Sequence, residues 1–521
     1  MDRRQFLSAS AGTALTARLR VALAAATEPE ALSLAETAAA IAAGRLSSRE
    51  ITERYLARIE AVDRQGPRLG AVLETNPQAL EAAARLDEER ARGAVRGPLH
   101  GVPLLIKDNV ETADRMMTTA GSLALEGWYA PADAPLVARL RAAGAVILGK
   151  TNLSEWANFR STRSVSGWSA RGGQTRNPYA LDRTPSGSSS GSAVAVAANL
   201  CAGAIGTETD GSIIGPASVN GVVGLKPTLG LVSRSGVVPL SHVQDTAGPI
   251  TRTVEDAALL MGVLSAPDPG DPASAAASGR HGLDYRRALD ADGLQGARIG
   301  IARRFYADNA PLERFLDELV AVLGRAGVVL FDPAELPPQA SDAETEALLT
   351  EFKVDLNAYL GRLPKQFPAR SLAELIRFNE ANAKRELALF DQELLRRADA
   401  KGGLEDKAYL EARGAARAAA RERGIDALLQ KHRLDAIVSL SSGPAWVIDP
   451  VNGDADSGGC TSPAAIAGYP HVTVPAGLFR GLPVGLSFFG GAFSEAALLK
   501  FAFAFEHAAA ARRPPQYLPS L

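Results

Sequence analysis

The stretch from Thr184 to Pro216, TPSGSSSGSAVAVAANLCAGAIGTETDGSIIGP, limits the folds open to this chain more than any other. It opens on Ser186-Gly187-Ser188-Ser189-Ser190-Gly191-Ser192, runs through small residues from Ala193 to Ile205, and closes on a second corner, Gly211-Ser212. Glycine permits backbone geometry that other residues resist and removes bulk where a ligand approaches main-chain N–H groups. Two serine corners flanking a tightly packable segment suit the fixing of hydroxyls and amides. Composition alone leaves a serine-rich loop open as well. A third reading is a nucleophile elbow, because Gly187-Ser188-Ser189-Ser190-Gly191 fits G-x-S-x-G with Ser189 as nucleophile. That motif needs a buried strand running into the turn. Here Arg176 to Pro185 precedes it, a loop-like run with prolines at 178 and 185, and the elbow fails on context.

At 521 residues the chain can hold one large α/β domain or two to three ordinary ones. A net charge of −2 gives no electrostatic reason to expect nucleic acid or an anionic membrane as partner. Cys201 and Cys460 are the only cysteines, too few for a disulfide scaffold or a zinc-thiolate site. No run reaches the roughly twenty apolar residues of a membrane span. The N-terminus carries Arg3-Arg4 ahead of Phe6-Leu7, an apolar stretch to Ala17, and Ala24-Ala25-Ala26. That order is a twin-arginine export signal over residues 1–26, which implies a periplasmic or secreted protein. The alternative is an amphipathic N-terminal helix on a cytoplasmic one.

Along the chain, Ser47-Ser48-Arg49-Glu50 reads as a capping box, followed by Ile51, Tyr55, Ile59 and Val62 at helical spacing. A second helix is expected over about 77–92. Pro98 to Asn109 reads as a turn feeding a short apolar strand that ends in Lys107, an unusual place for an ammonium. Gly144 to Thr151 fits the P-loop pattern, but its middle residues are Ala-Val-Ile-Leu and form the strand itself, so nucleotide binding is rejected. Residues 152–183 read as a long loop framing a cleft. Thr253 to Leu264 reads as a helix, 311–431 as mostly helical, and Asp435 to Leu440 as the final buried strand. Ser494 to Ala510 reads as a closing helix.

GSSSGSA, GTETDGSIIGP and the upstream GVPLLIKDN together resemble the amidase signature family. The resemblance continues through Gly221 to Thr228, Asp245 to Pro249, Gly468-Tyr469-Pro470 and Gly481 to Leu486, so it covers most of the chain. It implies an α/β fold, a twisted mixed β-sheet sandwiched between layers of α-helices, as a single domain over 27–521 with 311–431 as its variable helical part. It also implies Ser212 as nucleophile, Ser188 as a bridging serine after a cis peptide, and Lys107 as base, with no metal and no cofactor. Thr209, Asp210, Gly211 and Ser212 are the implied oxyanion hole. Lys107 must then be neutral at rest, which burial among Val102, Leu104 and Ile106 would achieve. The six histidines, at 100, 242, 281, 432, 471 and 507, sit in no motif that marks a base.

Two departures from the family pattern bear on substrate. Ile214 stands where many members have arginine, which favours a neutral substrate end over a free acid. Asp210 stands where glycine is usual; it either contacts the leaving carboxamide or is structural. Within the family the likeness is strongest to enzymes that deamidate C-terminally amidated peptides. The alternatives are a general amidase for small aryl or aliphatic amides and the glutamine-hydrolysing component of a tRNA-dependent amidotransferase. A binding protein that kept the fold without the chemistry is a further alternative.

Overall fold

The computed structural model describes residues 28–306, 308–338, 340–455 and 458–521. The expected export signal lies outside them. In chain order the strands are β1 (Val72–Thr75), β2 (Pro103–Lys107), β3 (Val146–Thr151), β4 (Trp168–Ser169), β5 (Gly173–Gln174), β6 (Gly203–Glu208) and β7 (Val223–Lys226). They continue as β8 (Thr246–Thr251), β9 (Arg298–Ile301), β10 (Val329–Phe331), β11 (Ala436–Leu440), β12 (His471–Phe479) and β13 (Leu482–Phe489). β4 and β5 pair with each other, and the other eleven form one mixed sheet in the order β1-β3-β2-β6-β8-β7-β12-β13-β11-β9-β10. Helices flank this sheet, and one large apolar core joins its strands to them.

The central strands β2, β3, β6 and β8 are buried along their whole length. β2 runs parallel to both β3 and β6, a setting that favours continuous apolar runs such as Pro-Leu-Leu-Ile. The strand end at Lys107 is therefore enclosed by neighbours on both sides.

The segment after the first serine corner is a helix, Ser190–Ala197, buried at every position. A Cβ on Gly191 would lie 2.3 Å from the Ala71 carbonyl oxygen and 2.6 Å from that of Asn152. The second glycine of the corner is thus a steric requirement, because the helix rests directly on neighbouring main chain.

The helix expected after Ser47 is present as Ser48–Arg58, but the capping box is only half formed. Ser47 Oγ accepts the Glu50 N–H at 3.0 Å, while the Glu50 carboxylate turns to Arg54 at 3.1 Å. A complete box forms instead at Ser33 and Glu36, heading a helix over Leu34–Ala42 that is absent from the sequence-based expectations. The helices expected near 77–92 and 253–264 span Ala79–Ala91 and Val254–Leu264, the latter capped by Thr253.

Asp435 to Leu440 is not the final strand. β12 and β13 follow it and sit near the middle of the sheet. Pro475, Gly477 and Pro483 disguise them, because proline and glycine ordinarily interrupt a central strand. Here the ladder shifts register between Pro475 and Gly477, and the bulge absorbs both residues. The mostly helical region also holds one short strand, β10, parallel to β9.

Candidate active site

Lys107 ends β2 with its side chain fully buried. Its Nζ lies 2.8 Å from Ser188 Oγ, 3.0 Å from Ser189 Oγ, 2.9 Å from Thr207 Oγ1 and 3.3 Å from the Thr207 carbonyl. Among the described residues no carboxylate lies within ion-pair distance of it. Burial lowers its pKa from the usual lysine range to about 7, against smaller opposing effects of Asp245 and Glu208.

These contacts fit a neutral amine. Ser189 Oγ donates to the Thr207 carbonyl at 2.9 Å and so accepts from Lys107. Thr207 Oγ1 accepts from Asn109 Nδ2 at 3.0 Å as well as from Lys107. With two N–H bonds directed to Ser189 and Thr207, the lone pair of a neutral Lys107 is left for the hydroxyl of Ser188. Sequence reasoning missed Ser189 and Thr207 as partners. The parallel register of β2 and β6, which carries Thr207 alongside the strand end, is the feature that brings Thr207 there.

Main chain ties the two serine corners together. The peptide between Gly187 and Ser188 is cis. The Ser188 carbonyl accepts the Ser154 N–H, and the Ser212 carbonyl accepts the Ser189 N–H, both at 3.0 Å. Ser212 is buried at the end of the loop that follows β6. Glu208 shapes this loop: one carboxylate oxygen accepts the N–H groups of Ile213 at 2.7 Å and Ile214 at 3.0 Å. The N–H groups of Asp210, Gly211 and Ser212 have no acceptor among the described residues. Three consecutive free donors beside a serine can stabilise negative charge on an oxygen.

Gly211 has a φ of 75°, a conformation that favours glycine, and a Cβ there would lie 3.0 Å from Thr461 Oγ1. Thr209 Oγ1 donates to Asp245 at 2.6 Å, and Asp245 also accepts the N–H groups of Leu240 and Ser241. Ile214 is buried at the start of the helix Ile214–Val219. Lys150 is a structural partner: its Nζ donates to the Val110 carbonyl and Thr118 Oγ1 at 2.8 and 2.9 Å.

A cavity of about 540 Å³ opens at the serine corners, lined by Gly187, Asp210 and Gly211. Its walls come from 158–166 and from 441–462, so the long loop does frame a cleft. No arginine or lysine lines it among the described residues. Two other cavities, about 340 and 350 Å³, share Arg234 and His242 and are lined by neither serine corner. His242 is paired with Asp355 at 2.9 Å. His471 is buried and neutral, its pKa lowered to about 3 mainly by burial. Cys201 and Cys460 are both buried free thiols.

The amidase family profile matches residues 50–499. The chain belongs to the amidase family. The peptide amidase of Stenotrophomonas maltophilia is 54% identical, with a TM-score of 0.89 over 94% of this chain and 99% of that one. The same kind of match, 54% identity and a TM-score of 0.90, holds for a peptide amidase bound to the competitive inhibitor chymostatin, over 93% of this chain and 99% of that one. An Arabidopsis thaliana protein described as a probable amidase is 44% identical over 489 residues, 91% of this chain and 89% of its own. A glutamyl-tRNA(Gln) amidotransferase component from Moorella thermoacetica is 36% identical over 479 residues, 88% of this chain and 93% of its own. This amidase is therefore a hydrolase of carboxamide bonds on a mixed sheet flanked by helices.

Proposed function

We propose that this amidase releases ammonia from C-terminally amidated peptides through Ser212, Ser188 and Lys107. The observation that carries the mechanism is the 2.8 Å contact between Ser188 Oγ and a Lys107 amine held near neutrality. Ser212 Oγ attacks the carboxamide carbon as its proton passes to Ser188 and the proton of Ser188 passes to Lys107. Negative charge on the carbonyl oxygen meets the free N–H groups of residues 210–212. Collapse of the tetrahedral intermediate breaks the C–N bond, and the proton returns through Ser188 to the departing ammonia. Water then attacks the acyl-enzyme by the same relay and regenerates Ser212.

A peptide amide as substrate is supported by the 54% identity to peptide amidase and by the cation-free cleft, which offers a free carboxylate nothing to pair with. The test is ammonia release from an amidated peptide, a small aryl amide and glutamine, with Ser212→Ala as control. Release chiefly from the amidated peptide, lost in the variant, is the expected result. Release chiefly from the aryl amide would make it a general amidase, and release only from glutamine would make it an amidotransferase component. Export by the twin-arginine route is a separate part of the proposal, resting on Arg3-Arg4. Cell fractionation of the full chain and of an Arg3→Lys/Arg4→Lys variant tests it; equal cytoplasmic retention of both would sink it.

A further inference from the structure

Asp210 stands immediately before Gly211 and Ser212 and lines the cleft. Its Oδ1 is a buried oxygen with no hydrogen-bond partner among the described residues. An unused acceptor in such a place is costly unless a ligand supplies the donor. The carboxyl lies beside the side chains of Thr461, Ser462 and Glu344.

Glu344 comes from the helix Ser341–Gly361, within the mostly helical region. Gln244 fixes it: Gln244 Nε2 donates to Glu344 at 2.9 Å and to the Thr209 carbonyl at 3.3 Å. Burial raises both carboxyls, and their mutual interaction raises Glu344 while lowering Asp210. Their interaction thus favours the proton on Glu344 over Asp210.

The loop thus places the Asp210 carboxyl, with one unpaired oxygen, beside N–H groups of 210–212 that have no acceptor among the described residues. That is the complement of a primary carboxamide, which accepts at oxygen and donates at nitrogen. An ester has no N–H to offer, and a carboxylate product brings a further negative charge into a cleft that already holds Asp210 and Asp454 and, among the described residues, no cation. We propose that the Asp210 side chain is the specificity residue for –CONH2, accepting one N–H of the substrate amide and disfavouring the product acid, with Glu344 as its positioning residue. This rests on the peptide-amide reading above. Sites built to hydrogen-bond a substrate group discriminate strongly against analogues that lack it.

The experiment compares kcat/KM for a peptide amide and the matching peptide methyl ester, with the peptide acid as product inhibitor. It uses the full chain as wild type, Asp210→Asn, Asp210→Gly and Glu344→Gln. The expected result is an amide-to-ester ratio about tenfold lower in both Asp210 variants and a product Ki about fivefold tighter. Glu344→Gln should move both quantities the same way by a smaller factor. Equal loss on amide and ester, or an unchanged product Ki in both Asp210 variants, overturns the inference. Should Asp210→Asn fail to fold, Asp210→Gly carries the same readout, since glycine has the freedom its neighbour Gly211 already uses. A wild type that cleaves the ester but not the amide defeats the function reading instead, and so separates the two failures.

Discussion

The Glu208 carboxylate holds the N–H of Ile213 at 2.7 Å, and the same oxygen holds that of Ile214. This one oxygen takes up the donors just beyond Ser212, while those of 210–212 have no acceptor among the described residues. Glu208→Ala releases the loop, and a misplacement of about 1 Å at a reacting group costs on the order of 10²-fold. The expected outcome is a kcat loss of that size with KM little changed. Glu208→Gln keeps an acceptor oxygen and should recover most of it. Steady-state kinetics on an amidated peptide decides, and equal activity of Glu208→Ala and wild type would remove Glu208 from the argument.

On the proposed relay, Lys107 sets the acid limb of the pH profile. As a base it must be neutral, so kcat/KM should rise about tenfold per pH unit up to about 7 and then level off. Lys107→Arg, whose guanidinium stays charged, should be inactive at every pH tested.

The same residue makes stability depend on pH. A lysine at about 7 in the folded state and near 10.4 unfolded binds fewer protons folded than unfolded between those values. Stability therefore rises with pH across that window. Thermal unfolding of wild type and Lys107→Met should show a Tm difference that moves in favour of wild type from pH 7 to pH 10. A constant difference would mean that Lys107 is charged in the folded protein.

Ser188 and Ser189 both contact Lys107, but only Ser188 is assigned to carry a proton. Ser188→Ala should lose roughly 10²–10⁴-fold in kcat. Ser189→Ala should lose far less, since Ser189 mainly orients Lys107 and bonds to Thr207 at its carbonyl and N–H. Reversed magnitudes would exchange the two roles.

Arg160 is fully buried and joins the long loop to the mostly helical region. It pairs with Glu155, lies 3.7 Å from Glu386, and stacks 4.2 Å from the Phe390 ring. Arg160→Met leaves buried carboxylates uncompensated, a change that costs about 3–5 kcal/mol. Chemical denaturation should register a loss of that order, with Glu155→Gln combined with Arg160→Met recovering part of it.

The site was legible where short motifs carry it. GSSSGSA, TETDGSI and the strand ending in Lys107 mark residues whose neighbours in space are also neighbours in sequence or in adjacent parallel strands. Glu344 was not legible, because it reaches Asp210 from a helix whose pattern records only its own packing. Glu386, on the short helix Ala383–Glu386, was hidden for the same reason. β12 and β13 were obscured by prolines that local rules read as breaks and that the sheet accommodates with a bulge. Gly191 was visible as a glycine, but its cause, the carbonyls of Ala71 and Asn152, belongs to chain far from it.

The seam between β7 and β12 pairs Lys226 with His471. During synthesis on the ribosome, every group from Lys107 to Ser212 has emerged long before the strand that closes this seam. Until then β7 presents an open edge, although the cleft wall at 441–462 has already been made. An N-terminal fragment that ends before β12 leaves β7 without its partner on that side. A chain stopped before β13 loses a strand from near the middle of the sheet rather than from its edge, and is expected to lack amidase activity.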